Sequence, residues 1–442
     1  MSENSMKNIR PNGWALIPFL VFAVFYVGLS VWANDFYKIS MPVAFLVASA
    51  SALLFNRKKT LEEKIDHYAF GMGETNIMIM CLIFILAGAF ATVAKGSGAV
   101  DAAVALAQTV IPVKLMVAGV FLVSCLISTA IGTSCGTIAA VAPIALGFAG
   151  PLQLSPALLL AAVIGGAMFG DNLSMISDTT IAATRTQGVQ MKDKFIANFW
   201  IAMPAAALAL VGYALSGSAV GSVTAPAVGW REFLLVSPYV LILVLALLGL
   251  NVMGLLFSGT VLATAVGLCL GKFDFLGALD FVGKGTLGMS ETLIVAILAG
   301  GLFRTVYANG GVSWLTEKIS ALVRGARTCE LGVFVLVSAI NCFTANNTVA
   351  IVIAGPIAKE CADRFGANPV RIASVLDTAS CVIQGLIPYG AQILIAIGIA
   401  KGLSLTIGTF DLIAHFYYQP LLAIAVFVTM FFSKRRAARN DV

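Results

Sequence analysis

Apolar runs of roughly 20 residues recur along the whole chain, for example at 14–31, 76–94 and 252–270. A helix of about 20 apolar residues can cross the ~30 Å hydrocarbon core of a bilayer. Charged residues make up 11% of the chain, against about 25% in soluble globular proteins. The sequence therefore predicts an all-α polytopic membrane protein whose main partner is the lipid bilayer. The net charge of +6 does not indicate nucleic acid as a partner of such a chain.

Two long apolar segments, at 115–149 and 330–358, are each interrupted once by polar residues. We interpret them as re-entrant helical hairpins, which enter the membrane and return to the same side. About ten transmembrane helices accompany them. These spans are predicted at 14–31, 41–55, 76–94, 156–185, 195–215, 232–250, 252–270, 293–306, 372–397 and 412–432.

The two halves of the chain repeat each other. Short motifs recur in the same order, among them Leu86-Ala87-Gly88 with Leu298-Ala299-Gly300. In this alignment Asp171 falls on Asp377, and Ser174 falls on Ser380. We predict a first repeat at 1–215, a connecting loop at 216–230 and a second repeat at 231–442.

The distribution of basic residues indicates that the second repeat is inverted. With re-entrant hairpins each half has five true spans, an odd number, so the second half starts on the opposite side. The outer side then carries seven basic residues: Lys38, Lys95, Lys114, Arg231, Lys272, Lys284 and Lys401. Apart from Arg304, which lies within a span, the other nineteen, including Lys192 and Lys194, fall on the cytoplasmic side. The positive-inside rule thus predicts a plasma (inner) membrane protein with both termini in the cytoplasm.

Polar residues interrupt the predicted spans 156–185 and 372–397. The first interruption contains Asp171 and Asp178, where residues facing hydrocarbon would be expected. An ionisable group at the bilayer centre costs about 2.5–3.5 kcal/mol on insertion scales. Broken backbone is tolerated at that depth only where protein or water satisfies its polar groups. We therefore predict discontinuous helices at the midplane that form a cation site, as in secondary transporters.

Oxygen-bearing side chains from both hairpin tips and both broken spans are the candidate ligands. Carboxylate, hydroxyl, amide and carbonyl oxygens are the ligands that hard cations prefer, and Asp171 and Asp377 are the candidate Na⁺ ligands. As an alternative, the hydroxyl and amide groups cap helices or bond neighbouring helices. The candidate set is Thr133, Ser134, Asp171, Asn172, Ser174, Asp178, Thr179, Asn346, Asn347, Thr348, Asp377, Ser380 and Gln384.

Two of these motifs carry a family resemblance. Gly132-Thr133-Ser134-Cys135-Gly136-Thr137 and Gly170-Asp171 with Ser177-Asp178-Thr179-Thr180 resemble the NhaC-type sodium/proton antiporter family. The resemblance implies inverted repeats with hairpins and exchange of Na⁺ for H⁺; relatives move malate and lactate or amino acids. Cys135 stands where that family often has Trp, and the segment 386–392 replaces a Pro-Trp-Asn motif. Smaller side chains at both places leave room for an organic substrate.

The sequence favours a secondary transporter, a Na⁺/H⁺ antiporter, over an enzyme or a channel. The alternative is a Na⁺-coupled transporter of an amino acid or small carboxylate. No cofactor is expected beyond Na⁺ and H⁺ as transported or coupling ions, and a homodimer is compatible with this class. For antiport, the sequence suggests that burial and the nearby second carboxylate raise the pKa of Asp178, and that Asp171 and Asp178 titrate as a coupled pair, so that Na⁺ binding expels a proton.

Overall fold

The computed structural model describes residues 10–32, 39–54, 60–217, 229–248 and 250–431. Within these ranges all regular secondary structure is helical. Eight helical segments there, some of which join two helices across a short break, are long and apolar enough to cross a membrane, and five shorter helices are also apolar. The prediction of an all-α polytopic membrane protein is confirmed.

Helix breaks, rather than long loops, separate many of the neighbouring helices. The first half contains α1 (Ile17–Ala23), α2 (Leu29–Trp32), α3 (Met41–Leu54), α4 (Leu61–Met72), α5 (Thr75–Ser97), α6 (Ala99–Val110), α7 (Met116–Ile131), α8 (Ser134–Gly147), α9 (Ala149–Leu152), α10 (Pro156–Leu173), α11 (Asp178–Gln187) and α12 (Met191–Ser216). The second half contains α13 (Trp230–Leu247), α14 (Val252–Cys269), α15 (Phe275–Gly288), α16 (Ser290–Ala308), α17 (Gly311–Leu322), α18 (Ala326–Thr344), α19 (Asn347–Phe365), α20 (Pro369–Leu386), α21 (Ala391–Gly402), α22 (Thr409–Ala414) and α23 (Tyr418–Phe431).

The first hairpin is formed by α7 and α8, which pack beside α10. Gly166 of α10 lies against Ser124 of α7, and Gly170 lies against Ser128, so the two helices advance in the same direction. A Cβ atom on Gly170 would lie 2.3 Å from Ser128 Cβ, so glycine is required for this approach. Because α7 and α10 are parallel neighbours, the chain must run back in the opposite direction between the end of α7 and the start of α10, and α8 is the helix that runs back. The chain therefore turns back at 132–133.

The second hairpin repeats this arrangement with α18, α19 and α20. Asn341 Nδ2 donates to the carbonyl oxygen of Ser380 at 2.9 Å. One turn further on, Gln384 Nε2 donates to the carbonyl oxygen of Ala345 at 2.8 Å. Helices α18 and α20 are therefore parallel, and α19 runs back between them. Each half thus contains a helical hairpin beside a broken span.

The lengths of the hairpin arms bear on how deeply they enter the membrane. Helix α8 has 14 residues, about 21 Å at 1.5 Å per residue, which is shorter than the ~30 Å hydrocarbon core. The first arms, at Val113–Ile131 and Ala326–Thr344, have 19 residues each and are long enough to cross it. That the hairpins are re-entrant stays a prediction.

The two hairpins enter from opposite sides of the molecule. Beyond its break, the first broken span continues as α11 beside α19, where Gln187 Nε2 donates to the carbonyl oxygen of Gly355 at 2.8 Å. Gly355 lies eight residues past the hairpin tip at Asn347, so α11 runs away from that tip and ends beside the middle of α19. Helix α21 packs along α8 of the first hairpin in the equivalent way. The spans α10–α11 and α20–α21 therefore cross in opposite directions, and the repeats are inverted.

Helix ends show the register between the halves. Gly132 and Ala345 end α7 and α18 in the left-handed conformation, and their numbers differ by 213 (345 − 132). The same offset relates further equivalent positions: Thr133 with Asn346 at the start of the return arms, Pro143 with Pro356 within them, Pro156 with Pro369 at the start of the broken spans, and Ser174 with Ile387 at their breaks.

This register corrects the alignment of the two carboxylates. Asp171 corresponds to Gln384, not to Asp377, because each precedes its break by three residues. Asp377 lies seven residues earlier in α20, about 10 Å along the helix axis. The predicted pairing of Ser174 with Ser380 is wrong for the same reason. The two broken spans thus bring a carboxylate and an amide, rather than two carboxylates, to equivalent positions.

Several predicted boundaries fall at the edges of the described ranges. Most of the connecting loop at 216–230 and both chain termini lie outside the described residues, so the repeat boundaries stay predictions. The predicted span 412–432 is divided, because α22 ends at Ala414 and α23 begins only at Tyr418. The segment before α5 forms the short helix α4, whose N-terminus Thr60 and Glu63 cap with a capping box.

Candidate functional site

The break in the first span is satisfied by its own residues. Thr180 Oγ1 donates to the carbonyl oxygen of Ser174 at 2.8 Å, and Ser174 Oγ accepts from the backbone N–H of Ile176 at 3.3 Å. These bonds replace the helical hydrogen bonds that are lost between α10 and α11. Ser174 therefore closes the break and does not line the central cavity.

Asp171 is the point where three separate segments meet. Its side chain is buried, with 4% exposed. Oδ1 accepts from Ser177 Oγ in the break at 2.5 Å, and Oδ2 accepts from Ser134 Oγ at the first hairpin tip at 2.9 Å. Oδ2 also accepts from Asn347 Nδ2 at the second tip at 3.4 Å. Three neutral donors thus face one buried carboxylate, which suits its charged form.

A cavity of about 150 Å³ opens beside Asp171. A water molecule takes about 30 Å³ in the liquid, so the cavity holds several waters or one small solute. The members of the candidate set that line it are Thr133, Ser134, Asp171, Asp178, Thr179, Asn346, Asn347, Thr348 and Gln384. The other lining residues are Asn76, Ile79, Met80, Ile83, Gly132, Cys135, Ser177, Ala345, Ala391 and Gln392. Both hairpin tips and both breaks therefore contribute to one polar cavity.

Some of these side chains also hold the hairpin tips in shape. Asn346 Oδ1 accepts from the backbone N–H of Val349 at 3.0 Å and so caps α19. Thr133 occupies the equivalent position before α8, where its side chain makes no cap hydrogen bond. Ser380 Oγ donates to the carbonyl oxygen of Asp377 at 2.9 Å and does not line the cavity. The predicted alternative of a structural role thus describes Ser174, Asn346 and Ser380.

Two glutamines extend the polar network from the second repeat. Gln384 Nε2 donates to Gln392 Oε1 at 2.8 Å, and Gln392 Nε2 donates to Ser134 Oγ at 2.9 Å. Gln384 Oε1 is buried and has no hydrogen-bond partner among the described residues. An unpartnered buried acceptor at the cavity wall is free to bind a cation or a donor group of a solute. The hydrogen bonds run from Gln384 to Asp171 through Gln392 and Ser134.

Asp178 differs from its predicted environment. It is exposed, at the first position of α11, where an acidic side chain is favoured by the helix dipole. The prediction that Asp178 is buried together with Asp171 is wrong, because the break leaves its side chain exposed at the rim of the cavity. The other buried carboxylate of the two broken spans is Asp377, which is completely buried.

Asp377 is already paired with a cation from the protein itself. Lys194 of α12 is 1% exposed and forms an ion pair with Asp377. Asn198, one turn later on α12, donates to Asp377 Oδ2 at 2.9 Å and to Asn172 Oδ1 at 2.5 Å. Lys194, counted among the basic residues of the cytoplasmic side, does not lie at a surface: its side chain extends from the start of α12 into the protein. Asn172 belongs to this cluster and does not line the cavity.

Lys194, Asn198, Ser177 and Gln392 take part in these networks but were not among the candidate residues, and the sequence contained a signal for some of them. Lys194 and Asn198 are four residues apart, which places both on one face of an otherwise apolar helix. Ser177 follows Asp171 by six residues, and only the geometry of the break brings the two side chains together. Gln392 lies in α21, at the position equivalent to Thr179 in the 213-residue register.

A family model described as "Na+/H+ antiporter family" matches residues 11–218 and 230–433. The chain belongs to the Na⁺/H⁺ antiporter family. The predicted resemblance, which came from the hairpin tip and the broken span, is confirmed. Members of this family are transporters, and the family model extends over both repeats.

Individual relatives are distant. The chain is 22% identical to the malate-2H⁺/Na⁺-lactate antiporter of Bacillus subtilis over 87% of this chain and 88% of that protein. It is 24% identical to the Na⁺/H⁺ antiporter NhaC of the same organism, over 87% and 90% of the two chains. The solved structure of the Alcanivorax borkumensis YdaH transporter is 16% identical and covers 79% of this chain and 84% of that chain, with a TM-score of 0.40. That likeness is too weak to support an argument.

Proposed function

We propose that the protein exchanges Na⁺ for H⁺ across a membrane, and that Asp171 binds the two ions alternately. The proposal rests mainly on one observation: the buried carboxylate of Asp171 is hydrogen-bonded to the break of its own span and to both hairpin tips, at the wall of a polar cavity. A carboxylate that is held by neutral donors can accept either a proton or a metal cation, but not both at once. Transport by this exchange involves no covalent step, and the chain acts as a transporter rather than an enzyme.

Ligands for a Na⁺ ion are available around Asp171 without rebuilding the site. The hydroxyl groups of Ser134 and Ser177 now donate hydrogen bonds to the carboxylate. Rotation of these O–H bonds turns their oxygen lone pairs towards a bound ion. Thr179 Oγ1, at 2.9 Å from Ser177 Oγ, lies in the same group. Carboxylate and hydroxyl oxygens are hard ligands of the kind that Na⁺ requires.

The proposed location is the plasma (inner) membrane, with the second hairpin entering from the cytoplasm. Support comes from the basic residues at the outer end of that hairpin, which include Lys359 and Arg364 on α19. The end of α11, with Arg185, lies on the same side. Both termini are proposed to be cytoplasmic.

Cysteine labelling tests this orientation. In a background without native cysteines, a cysteine at Gly150 is expected to react with an impermeant thiol reagent added outside the cell. A cysteine at Arg364 is expected to react only after the membrane is permeabilised. Gly150 lies just after the outer end of the first return arm, and Arg364 lies in the last turn of the second. Reaction of both positions from the same side of intact cells would contradict the inverted orientation.

A second candidate function is Na⁺-coupled transport of an amino acid or a small carboxylate. It is favoured by the cavity of about 150 Å³ and by the amide groups of Asn347, Gln384 and Gln392, which can hydrogen-bond a polar solute. The malate-2H⁺/Na⁺-lactate antiporter named among the relatives supports the same candidate.

Proton release on Na⁺ addition separates the two functions. Adding NaCl to the purified protein in weak buffer is expected to release protons without any organic solute, because Na⁺ displaces the proton of Asp171. The apparent Na⁺ affinity is expected to weaken as the pH falls, since protons compete for the same oxygens. Choline chloride serves as the control. Proteoliposomes in which Na⁺ uptake needs lactate, malate or an amino acid, and in which Na⁺ binding is independent of pH, would support the second candidate.

A further inference from the structure

The ammonium group of Lys194 is surrounded by oxygen atoms from three helices. Its Nζ pairs with the carboxylate of Asp377 on α20. It also donates to the carbonyl oxygen of Asn172 near the end of α10 at 2.7 Å, and to Thr180 Oγ1 on α11 at 2.6 Å. Lys194 itself comes from α12 and is almost completely buried. This cluster is separate from the cavity, since none of these four residues lines it.

These oxygen atoms form the kind of ligand set that a monovalent metal cation requires. They comprise one carboxylate, one backbone carbonyl at the negative end of a helix and one hydroxyl. Asn198 contacts the same carboxylate and the same backbone carbonyl. Its Nδ2 donates to Asp377, Asn172 Oδ1 and the Asn172 carbonyl, while its Oδ1 is buried without a hydrogen-bond partner in the described part of the chain. Asn172 Nδ2 is likewise buried without a partner among the described residues, and buried polar atoms of this kind are uncommon in folded proteins.

We infer that this cluster is a second monovalent-cation site, which the tethered ammonium group of Lys194 fills permanently in place of Na⁺. Lys194 thereby limits the protein to one exchangeable Na⁺, at Asp171. The limit to one rests on the proposed function, because Asp171 is the exchangeable site there; the existence of the second site does not depend on it.

The position of Lys194 explains why a covalently attached cation is useful here. Asn172 precedes the break in the first span and Thr180 follows it, so the ammonium group binds both sides of the break. It simultaneously binds Asp377 on the other broken span. An exchangeable ion would leave this junction whenever it was transported, whereas a lysine cannot. The charge of Asp377 is likewise compensated in every step of the exchange.

Counting bound Na⁺ tests this inference on the purified full-length protein in detergent. Equilibrium binding of ²²Na⁺ is expected to give one ion for the native protein and two for Lys194→Ala, which leaves the space of the side chain open beside Asp377. The double variant Lys194→Ala, Asp377→Asn is expected to return to one ion. Lys192→Ala, which removes an exposed lysine from the same turn of α12, is the matched control and is expected to bind one.

Each result of these measurements either supports or overturns the second cation site. A monodisperse Lys194→Ala protein that still binds one Na⁺ would overturn the second site. If Lys194→Ala is unstable, its melting temperature is expected to rise with NaCl and not with N-methyl-D-glucamine chloride. If adding Asp377→Asn restores the melting temperature of Lys194→Ala but NaCl does not, Lys194 and Asp377 form only a structural ion pair, and the inference is overturned. Failure of the proposed function looks different: the native protein would bind no Na⁺, and Lys194→Ala would bind one.

Discussion

Asp171→Asn is expected to reduce Na⁺-dependent proton exchange to the level of protein-free liposomes. The amide keeps the volume and one acceptor oxygen of the carboxylate, but it removes the charge that compensates the dehydration of a bound cation. It also removes the group that carries the proton. Loss of the charged ligand at a buried site amounts to several kcal/mol, and about 1.4 kcal/mol corresponds to a tenfold change in affinity. Na⁺ affinity is therefore expected to fall by roughly 100-fold or more.

The measurement is Na⁺-driven acidification or alkalinisation of proteoliposomes, together with ²²Na⁺ binding to the same preparation. Asp193→Asn makes the same chemical change at an exposed position on α12 and is expected to leave transport unchanged. Asp178→Asn tests whether Asp171 and Asp178 titrate as a coupled pair, as the sequence suggested, or whether Asp171 acts without Asp178, as the structure indicates. Because Asp178 is exposed at the rim, a small effect is expected. Unchanged Na⁺ affinity in Asp171→Asn would place the ion site elsewhere in the protein.

The broken spans and the hairpins were predictable because they violate the usual composition of a membrane helix. Asp171 within an apolar run is costly unless the backbone opens to a polar environment, and this argument needs no coordinates. The inversion also followed from the sequence, since an odd number of spans and the side preference of lysine and arginine both depend on composition. The structure shows the same arrangement through parallel helices and the path of the two broken spans.

Matching residues alone left the register of the repeat ambiguous, because Pro143 with Pro356 gives an offset of 213 (356 − 143) and Asp171 with Asp377 gives 206 (377 − 171). Alignment of Asp171 with Asp377 pairs two identical residue types, but a shift of seven residues is two helical turns and leaves the same helix face inward. The helix ends, such as Gly132 and Ala345, decide between the two registers. The equivalent position, Gln384, has different chemistry and was therefore overlooked as the partner of Asp171.

The role of Lys194 was hidden by its neighbours. Lys192-Asp193-Lys194 reads as a charged turn at a membrane surface, and Lys192 and Asp193 are in fact exposed. Which of three consecutive residues turns inward depends on the tertiary packing of α12 against α10 and α20. The spacing of Lys194 and Asn198 indicates a shared face, but the apolar residues around that helix do not show which face is buried.

The ion pair of Lys194 and Asp377 leads to the second large effect. Asp377→Asn is expected to lower the stability of the folded protein by about 3–5 kcal/mol, because it leaves an uncompensated ammonium group in the interior. The measurement is thermal unfolding of the detergent-solubilised protein, followed by loss of monodispersity. Asp280→Asn is the matched control: Asp280 pairs with Lys284 at 2.5 Å, but both side chains are more than half exposed. An exposed pair contributes about 0–1 kcal/mol, so little change is expected there.

The double variant Lys194→Met, Asp377→Asn separates a structural ion pair from a transport ligand. Replacement of both charges in a buried pair is often close to neutral, so its melting temperature is expected to recover most of the loss in Asp377→Asn. Because Asp171, Ser134 and Ser177 are untouched, Na⁺/H⁺ exchange is expected to persist in this variant. A stable double variant without exchange would show instead that Asp377 takes part in ion transport, as the original alignment of the two carboxylates suggested. The same preparation thus measures the stability of the junction and tests whether Asp171 is the one carboxylate that exchange requires.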